Sequence, residues 1–188
     1  MGRSLSLCAA TLALAGCAML RAPHDPARHD QTVSLVNSLS WTNALSGKRD
    51  GLRSAWPLAE LDGHTENFPI AQIRQCEQEG QLCRWGVLNA SRTFSNIRYV
   101  PGGVALDLNL LLDVDRRQEV RRAGSNAALA IPADVPALRA TRSFKGRLVL
   151  PYGKVHRIDF DFGIGFELCP LRLDAARKNV DTCEVGFF

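Results

Sequence analysis

The feature that most constrains the fold is the strictly alternating run VALDLNLLLDVD at residues 104–115. Its apolar side chains occupy every second position: Val104, Leu106, Leu108, Leu110, Leu112 and Val114. Successive side chains of a β-strand point to opposite faces, so this spacing predicts one long strand with a buried face and a mostly solvated face. Pro101 and Gly102 fit the two central positions of a type II turn before it, which predicts a hairpin with NIRYV as the incoming strand.

A second hairpin is predicted from FKGRLVL, the turn PYGK and an outgoing strand that continues to Leu168. The outgoing segment again places apolar residues at alternate positions: Ile158, Phe160, Phe162, Ile164, Phe166 and Leu168. Gly163 and Gly165 share the opposite face, where they indicate a bend or close sheet packing. The Ser-, Thr- and Val-rich segment TVSLVNSLSW predicts a further strand near the start of the folded region.

Strands with one apolar face must pack against a second layer. We therefore predict an all-β fold, either an antiparallel β-sandwich or a small β-barrel with a few short helical turns, with α+β as the alternative. Short helical segments are expected at AQIRQCEQEG and near SNAALA. The rest of 116–142 is expected to be an irregular crossover, and CEVGFF an edge strand.

The N-terminal residues MGRSLSLCAATLALAGC combine one basic residue, an apolar segment and small residues before Cys17. This is the pattern of a secretory signal, and its apolar run is shorter than the ~20 residues of a membrane-spanning helix. The residues Leu14-Ala15-Gly16-Cys17 resemble the lipobox of bacterial membrane lipoproteins. The resemblance implies cleavage before Cys17 and acylation of that cysteine, and Ala18 implies delivery to the outer membrane.

These features predict three parts of the chain: a signal peptide at 1–16, the lipidated Cys17 with a flexible tether to residue 30, and one β-rich globular domain at 31–188. The domain is expected in the periplasm or at the cell surface. An exported protein meets an oxidising compartment, so Cys76, Cys83, Cys169 and Cys183 are disulfide candidates. Three pairings are open, and the shorter loops favour Cys76–Cys83 and Cys169–Cys183.

The formal net charge of +4, with no long Lys/Arg run, gives no indication of nucleic-acid binding. Arg116-Arg117 and Arg121-Arg122 form a local basic cluster that is typical of a solvated face. No Gly-x-Ser-x-Gly elbow, His-Glu-x-x-His motif or phosphate-binding glycine loop is present. We therefore predict no catalytic set, metal site or cofactor.

Three functions follow from this pattern, in order of preference. The first is an outer-membrane lipoprotein that acts as a structural, assembly or protein-binding module, with the membrane and another envelope protein as partners. The second is a periplasmic module that holds a lipid or small ligand between its sheets. The third is an envelope hydrolase, for which the candidate residues are His64, His156, Asp159 and Asp161.

Overall fold

The computed structural model describes residues 32–77, 82–122 and 125–186. Within these ranges the chain forms eleven strands. They are β1 (Thr32–Thr42), β2 (Arg49–Pro57), β3 (Thr65–Asn67), β4 (Ala71–Cys76), β5 (Cys83–Val100), β6 (Gly103–Asp115), β7 (Arg117–Arg122), β8 (Ser125–Ala130), β9 (Ala140–Pro151), β10 (His156–Asp159) and β11 (Gly165–Leu173). Two short 3-10 turns lie at Leu58–Glu60 and Asp161–Gly163.

The strands form two main antiparallel sheets and one ribbon. The first sheet has the order β10-β11-β1-β2, and the second has the order β3-β5-β6-β9, with β4 also paired to β5. Strands β7 and β8 pair only with each other among the described residues. The fold is therefore an all-β antiparallel sandwich, the first of the two architectures that the alternation predicts.

The core lies between the inner faces of the two sheets. All six alternating residues of β6 from Val104 to Val114 are at most 3 % exposed, which confirms the predicted buried face. They share one apolar cluster with Leu35 and Leu39 of β1 and with Phe166 of β11. The turn before β6 is also as predicted, because Gly102 adopts a positive φ of 74° and Val100 pairs with Gly103.

The outer face of the first sheet carries a second, smaller cluster. Val36 of β1 packs there with Cys169, Leu171 and Val185. The segment after β11 therefore covers part of this sheet, and the central strand β1 is buried on both faces. This double burial explains why β1 lacks the clean alternation of β6.

The predicted second hairpin is wrong in its connectivity. Strand β9 pairs with β6 in the second sheet, whereas β10 pairs with β11 in the first. The PYGK segment therefore crosses between sheets. The outgoing strand also reverses at Asp161–Gly163, where Phe162 adopts a left-handed φ of 63°. The apolar residues on both sides of this turn still pack in the main core, so the alternation correctly identified core residues but not the reversal.

Three weaker predictions are also corrected. The segment AQIRQC forms β4 rather than a helix, because it pairs along the start of β5. The segment SNAALA is strand β8, so residues 116–142 contain an ordered ribbon in place of a wholly irregular crossover. Residues 183–186, which begin the predicted edge strand CEVGFF, form no strand.

Candidate functional site

The cysteines of the folded region form the two disulfides that the shorter loops favoured. Cys76, the last residue of β4, and Cys83, the first residue of β5, face each other where the chain passes from one strand to the other, and they are bonded. The Cys169–Cys183 disulfide joins β11 to the segment that covers the first sheet. The predicted signal, the lipidation site Cys17 and the tether all lie outside the described residues.

The Cys169–Cys183 disulfide is reinforced by a bidentate ion pair. The Arg172 guanidinium donates to both carboxylate oxygens of Asp181, at 2.9 and 2.7 Å, and the Arg172 backbone N–H donates to Oδ2 at 3.1 Å. These hydrogen bonds lower the pKa of Asp181, and the same pairing raises the pKa of Arg172. Arg172 also lies over the ring of Tyr152, with 5.0 Å to its centroid.

The candidate hydrolase residues are not assembled into a catalytic set by their contacts. Asp159 pairs with Arg157 at 2.7 Å, and Asp161 pairs with Arg142 at 2.6 Å. His64 lies against Trp56, with 5.8 Å between ring centroids, while His156 is at the start of β10. Among the described residues, no group of three or more His, Cys, Asp or Glu side chains is placed to hold a metal ion.

The two ends of the sandwich are distinguished by the path of β1. We call the end at Thr32 the entry end, because the chain enters the domain there, opposite Leu173. Eleven residues of β1 span about 33 Å to the other end, which we call the far end. At the far end the backbone N–H of Ala44 donates to Gln72 O at 3.1 Å, and the Gln72 side chain donates to Ala130 O at 3.0 Å. The β7–β8 ribbon therefore joins the domain at the far end.

An apolar groove, which we call the far-end groove, lies between the ribbon and the residues before β4. Its main part has a volume of about 520 Å³ and is lined by Pro69, Ile70, Val120 and residues 126–129 of β8. Ile70 and Leu129 also line a neighbouring cleft of about 200 Å³ that extends to Leu45, which is 75 % exposed. The groove thus places apolar side chains in solvent at the end opposite Thr32.

The base of the ribbon is fixed by Arg116 of the predicted basic cluster. Its guanidinium donates to Pro132 O at 2.6 Å and to Val135 O at 3.0 Å. Its carbonyl accepts from the Ile131 N–H at 3.0 Å. The neighbouring Arg117 forms an exposed ion pair with Glu119. Arg116 therefore has a structural role, and it holds the segment after β8 to the end of β6.

A buried charge lies between the sheets, and the sequence analysis did not predict it. Arg92 of β5 is 1 % exposed and pairs with Glu66 of β3, whose side chain is 26 % exposed. The Arg92 guanidinium also donates to Ser54 Oγ of β2 at 2.9 Å, and Ser54 donates to Asn37 Oδ1 at 3.2 Å. These bonds connect the two sheets through a polar chain inside the sandwich.

Aromatic rings complete the surroundings of Arg92. Its guanidinium lies 5.2 Å from the Phe68 ring centroid and 5.1 Å from that of Phe94, within the range of cation–π attraction. Burial lowers the pKa of Arg92, and the charge and hydrogen bond of Glu66 oppose that shift. One signal was available in the sequence, since Arg92 occupies a core-facing position between Ala90 and Phe94.

Together the fold and these sites define an antiparallel β-sandwich that is closed by two disulfides and carries an apolar groove at one end. In comparisons with family models, curated proteins and solved structures, no match to this chain was found. Among the described residues, no helix has the length and apolar character needed to cross a membrane.

Proposed function

We propose that this protein is an outer-membrane lipoprotein, anchored through Cys17, whose sandwich is a protein-binding module of the cell envelope. The observation that supports this function best is the position of the far-end groove. The tether would enter the domain at Thr32, and the groove lies about 33 Å away along β1. An anchored domain of this shape would present the groove to partners away from the membrane surface.

The two disulfides support an extracytoplasmic location. Structural disulfides persist in oxidising compartments such as the bacterial periplasm and are rare in the cytosol. Both disulfides here join segments that are adjacent in the fold, one within a hairpin and one over the first sheet. They fit a domain that forms its disulfides after export from the cytosol.

The packing of the interior favours a surface module over a carrier of ligands between the sheets. The inner faces meet through side chains such as Leu35, Leu106 and Phe166, all of which are fully buried. The clefts that described residues line, among them the far-end groove, open at the surface. The groove is therefore the better candidate for binding.

The expected partner is a protein with apolar side chains flanked by acidic ones. The groove offers an apolar lining, and strand β7 has the sequence RQEVRR, with three arginines and one glutamate. Contiguous exposed apolar surface commonly marks an interaction site, and charge complementarity adds specificity. A partner of this composition would match both features.

Site-specific photo-crosslinking tests the docking surface. A photoreactive residue at the exposed Ala128, in the groove, should yield one dominant envelope protein in membranes from the native host. The same photoreactive amino acid in place of the exposed Thr141, on the outer face of the second sheet, is the matched control. Equal capture at both positions, or no specific product from Ala128, would rule out the groove as the docking surface.

The anchor is tested separately by Cys17→Ala. Acylation of the wild-type chain should add the mass of the lipid to the N-terminal peptide, and the variant should lose both that mass and the cleavage before residue 17. Cys8→Ala is the control and should leave both unchanged. A variant at Cys17 that kept the lipid mass would contradict the proposed anchor.

A further inference from the structure

A second cleft lies on the outer face of the second sheet, on strands β5, β6 and β9. It has a volume of about 390 Å³, and its polar lining consists of Ser95, Asn96, Asp107, Asn109, Lys145 and Arg147. This face points away from the core and lies apart from the far-end groove. The cleft therefore brings hydroxyl, amide, carboxylate and cationic groups together on a rigid sheet.

An irregularity in β5 shapes this cleft. The pairing of β5 with β6 shifts register between Ser95 and Arg98, which marks a β-bulge. Asn96 in the bulge has a φ of 53°, a left-handed conformation that costs a non-glycine residue about 1 kcal/mol. Bulges and strained residues of this kind concentrate at functional sites, where they direct a side chain. Here the Asn96 amide donates to Asp107 Oδ2 at 2.7 Å.

The hydrogen bond from Asn96 to Asp107 lies beside Arg147, a cation that forms no ion pair among the described residues. Arg147 is directly opposite Asp107 in the β6–β9 register, at cross-strand contact distance. Nevertheless, no carboxylate of the described chain lies within ion-pair distance of Arg147 or of Lys145, whereas Arg142, Arg157 and Arg172 each have such a partner. Lys145 and Arg147 are two residues apart on one strand, so their side chains share the face, about 7 Å apart.

We propose that this cleft binds an acidic sugar, a ring that carries hydroxyl groups and one carboxylate or phosphate. Lys145 and Arg147 would donate to the anionic group, for which a guanidinium is well suited. Asp107 retains acceptor capacity for a ring hydroxyl, because Asn96 occupies only one site on Oδ2. Ser95 and Asn109 supply donors and acceptors beside it. A simple inorganic anion would use only the cations and leave these groups without a role.

Amide chemical shifts of the isotope-labelled full-length protein provide the test. D-glucuronate and glucose 6-phosphate are the acidic probes, glucose is the neutral probe, and inorganic phosphate is the probe without a ring. At least one acidic sugar should give saturable shifts at Asn96 and Asn109, with weaker or no binding of glucose and phosphate. The acidic sugar that binds more tightly identifies the anionic group.

The variant Lys145→Ala/Arg147→Ala should weaken this binding by at least about tenfold, the loss expected for one charge-assisted hydrogen bond. The matched control Lys48→Ala/Lys178→Ala removes the same charge elsewhere on the surface and should leave affinity unchanged. Tight binding of phosphate or of glucose equal to that of the acidic sugars would overturn the proposal. So would the absence of saturable shifts, or equal losses in the two variants.

Discussion

In the buried ion pair of Arg92 and Glu66, removal of the one partner and removal of the other should have different effects on the free energy of unfolding. Arg92 is 1 % exposed, whereas the Glu66 side chain retains 26 % of its exposure. The variant Glu66→Ala leaves the guanidinium charged inside the sandwich, with Ser54 and two ring faces as its remaining contacts. The variant Arg92→Met removes the buried charge, and Glu66 can then be hydrated from its exposed side.

The magnitudes follow from the cost of burying ions. Breaking a buried pair by removing one partner costs 3–5 kcal/mol, and we expect about 3 kcal/mol for Glu66→Ala because Glu66 itself is partly exposed. Replacing a buried ion pair by apolar residues of similar volume is often neutral, because no unpaired charge is left buried. Glu66 is partly exposed and can be hydrated once Arg92 is removed, so Arg92→Met should stay within about 1 kcal/mol of the parent. The double variant should resemble Arg92→Met, because no buried charge then remains to be paired.

Equilibrium urea unfolding, followed by tryptophan fluorescence, measures these free energies. Glu119→Ala is the control, since its pair with Arg117 is exposed and should contribute less than about 1 kcal/mol. If Arg92→Met lost as much free energy of unfolding as Glu66→Ala, the ion pair would be a net source of stability. That result would refute the argument from desolvation.

Three further perturbations test other parts of the fold by the same urea assay. Replacing Cys169 and Cys183 together by Ala should lower the free energy of unfolding by about 3 kcal/mol, the chain-entropy value for a loop of this length. Arg172 lowers the pKa of Asp181 in the folded state, so their pairing should stabilise the protein above about pH 4, and this stabilisation should be lost as the pH falls further. The variant Asp181→Asn should therefore have a lower free energy of unfolding at pH 7 and lose less of it on acidification. Gly102→Ala should cost about 1 kcal/mol from backbone strain alone, since its Cβ would meet no atom within 4 Å.

The sequence predicted the all-β class and the β5–β6 turn because these depend on local signals. Strand β6 has one buried and one open face, so its alternation is complete. The β4 segment lacks this contrast, since only Ile73 is fully buried and its Gln and Arg residues also suit a helix. Pairing along β5 decided its conformation, and that pairing cannot be read from the segment itself.

The sites depended still more on tertiary structure. The cysteine spacing favoured the observed disulfides, because both loops are short. The far-end groove could not be predicted, since Ile70 and Leu129 are distant in sequence and β8 has an alanine-rich segment that was expected to form a helical turn. The cleft on the second sheet depends on a bulge at Asn96, for which no glycine marked the positive φ.

The position of Arg92 links the stability of the sandwich to its proposed role. The chain enters through β1 of the first sheet, whereas the ribbon continues from β6 of the second sheet. The positions of the proposed anchor and of the groove are therefore related through contacts between the sheets, which include the Ala44–Gln72 hydrogen bond at the far end and the hydrogen bond from Arg92 to Ser54 inside the sandwich. Apolar contacts are non-directional, but the hydrogen bond from Arg92 to Ser54 has a fixed geometry. We therefore expect Arg92→Met to preserve stability while loosening the relation between the two sheets, which would appear as faster amide exchange in β2 and β3 at unchanged global stability.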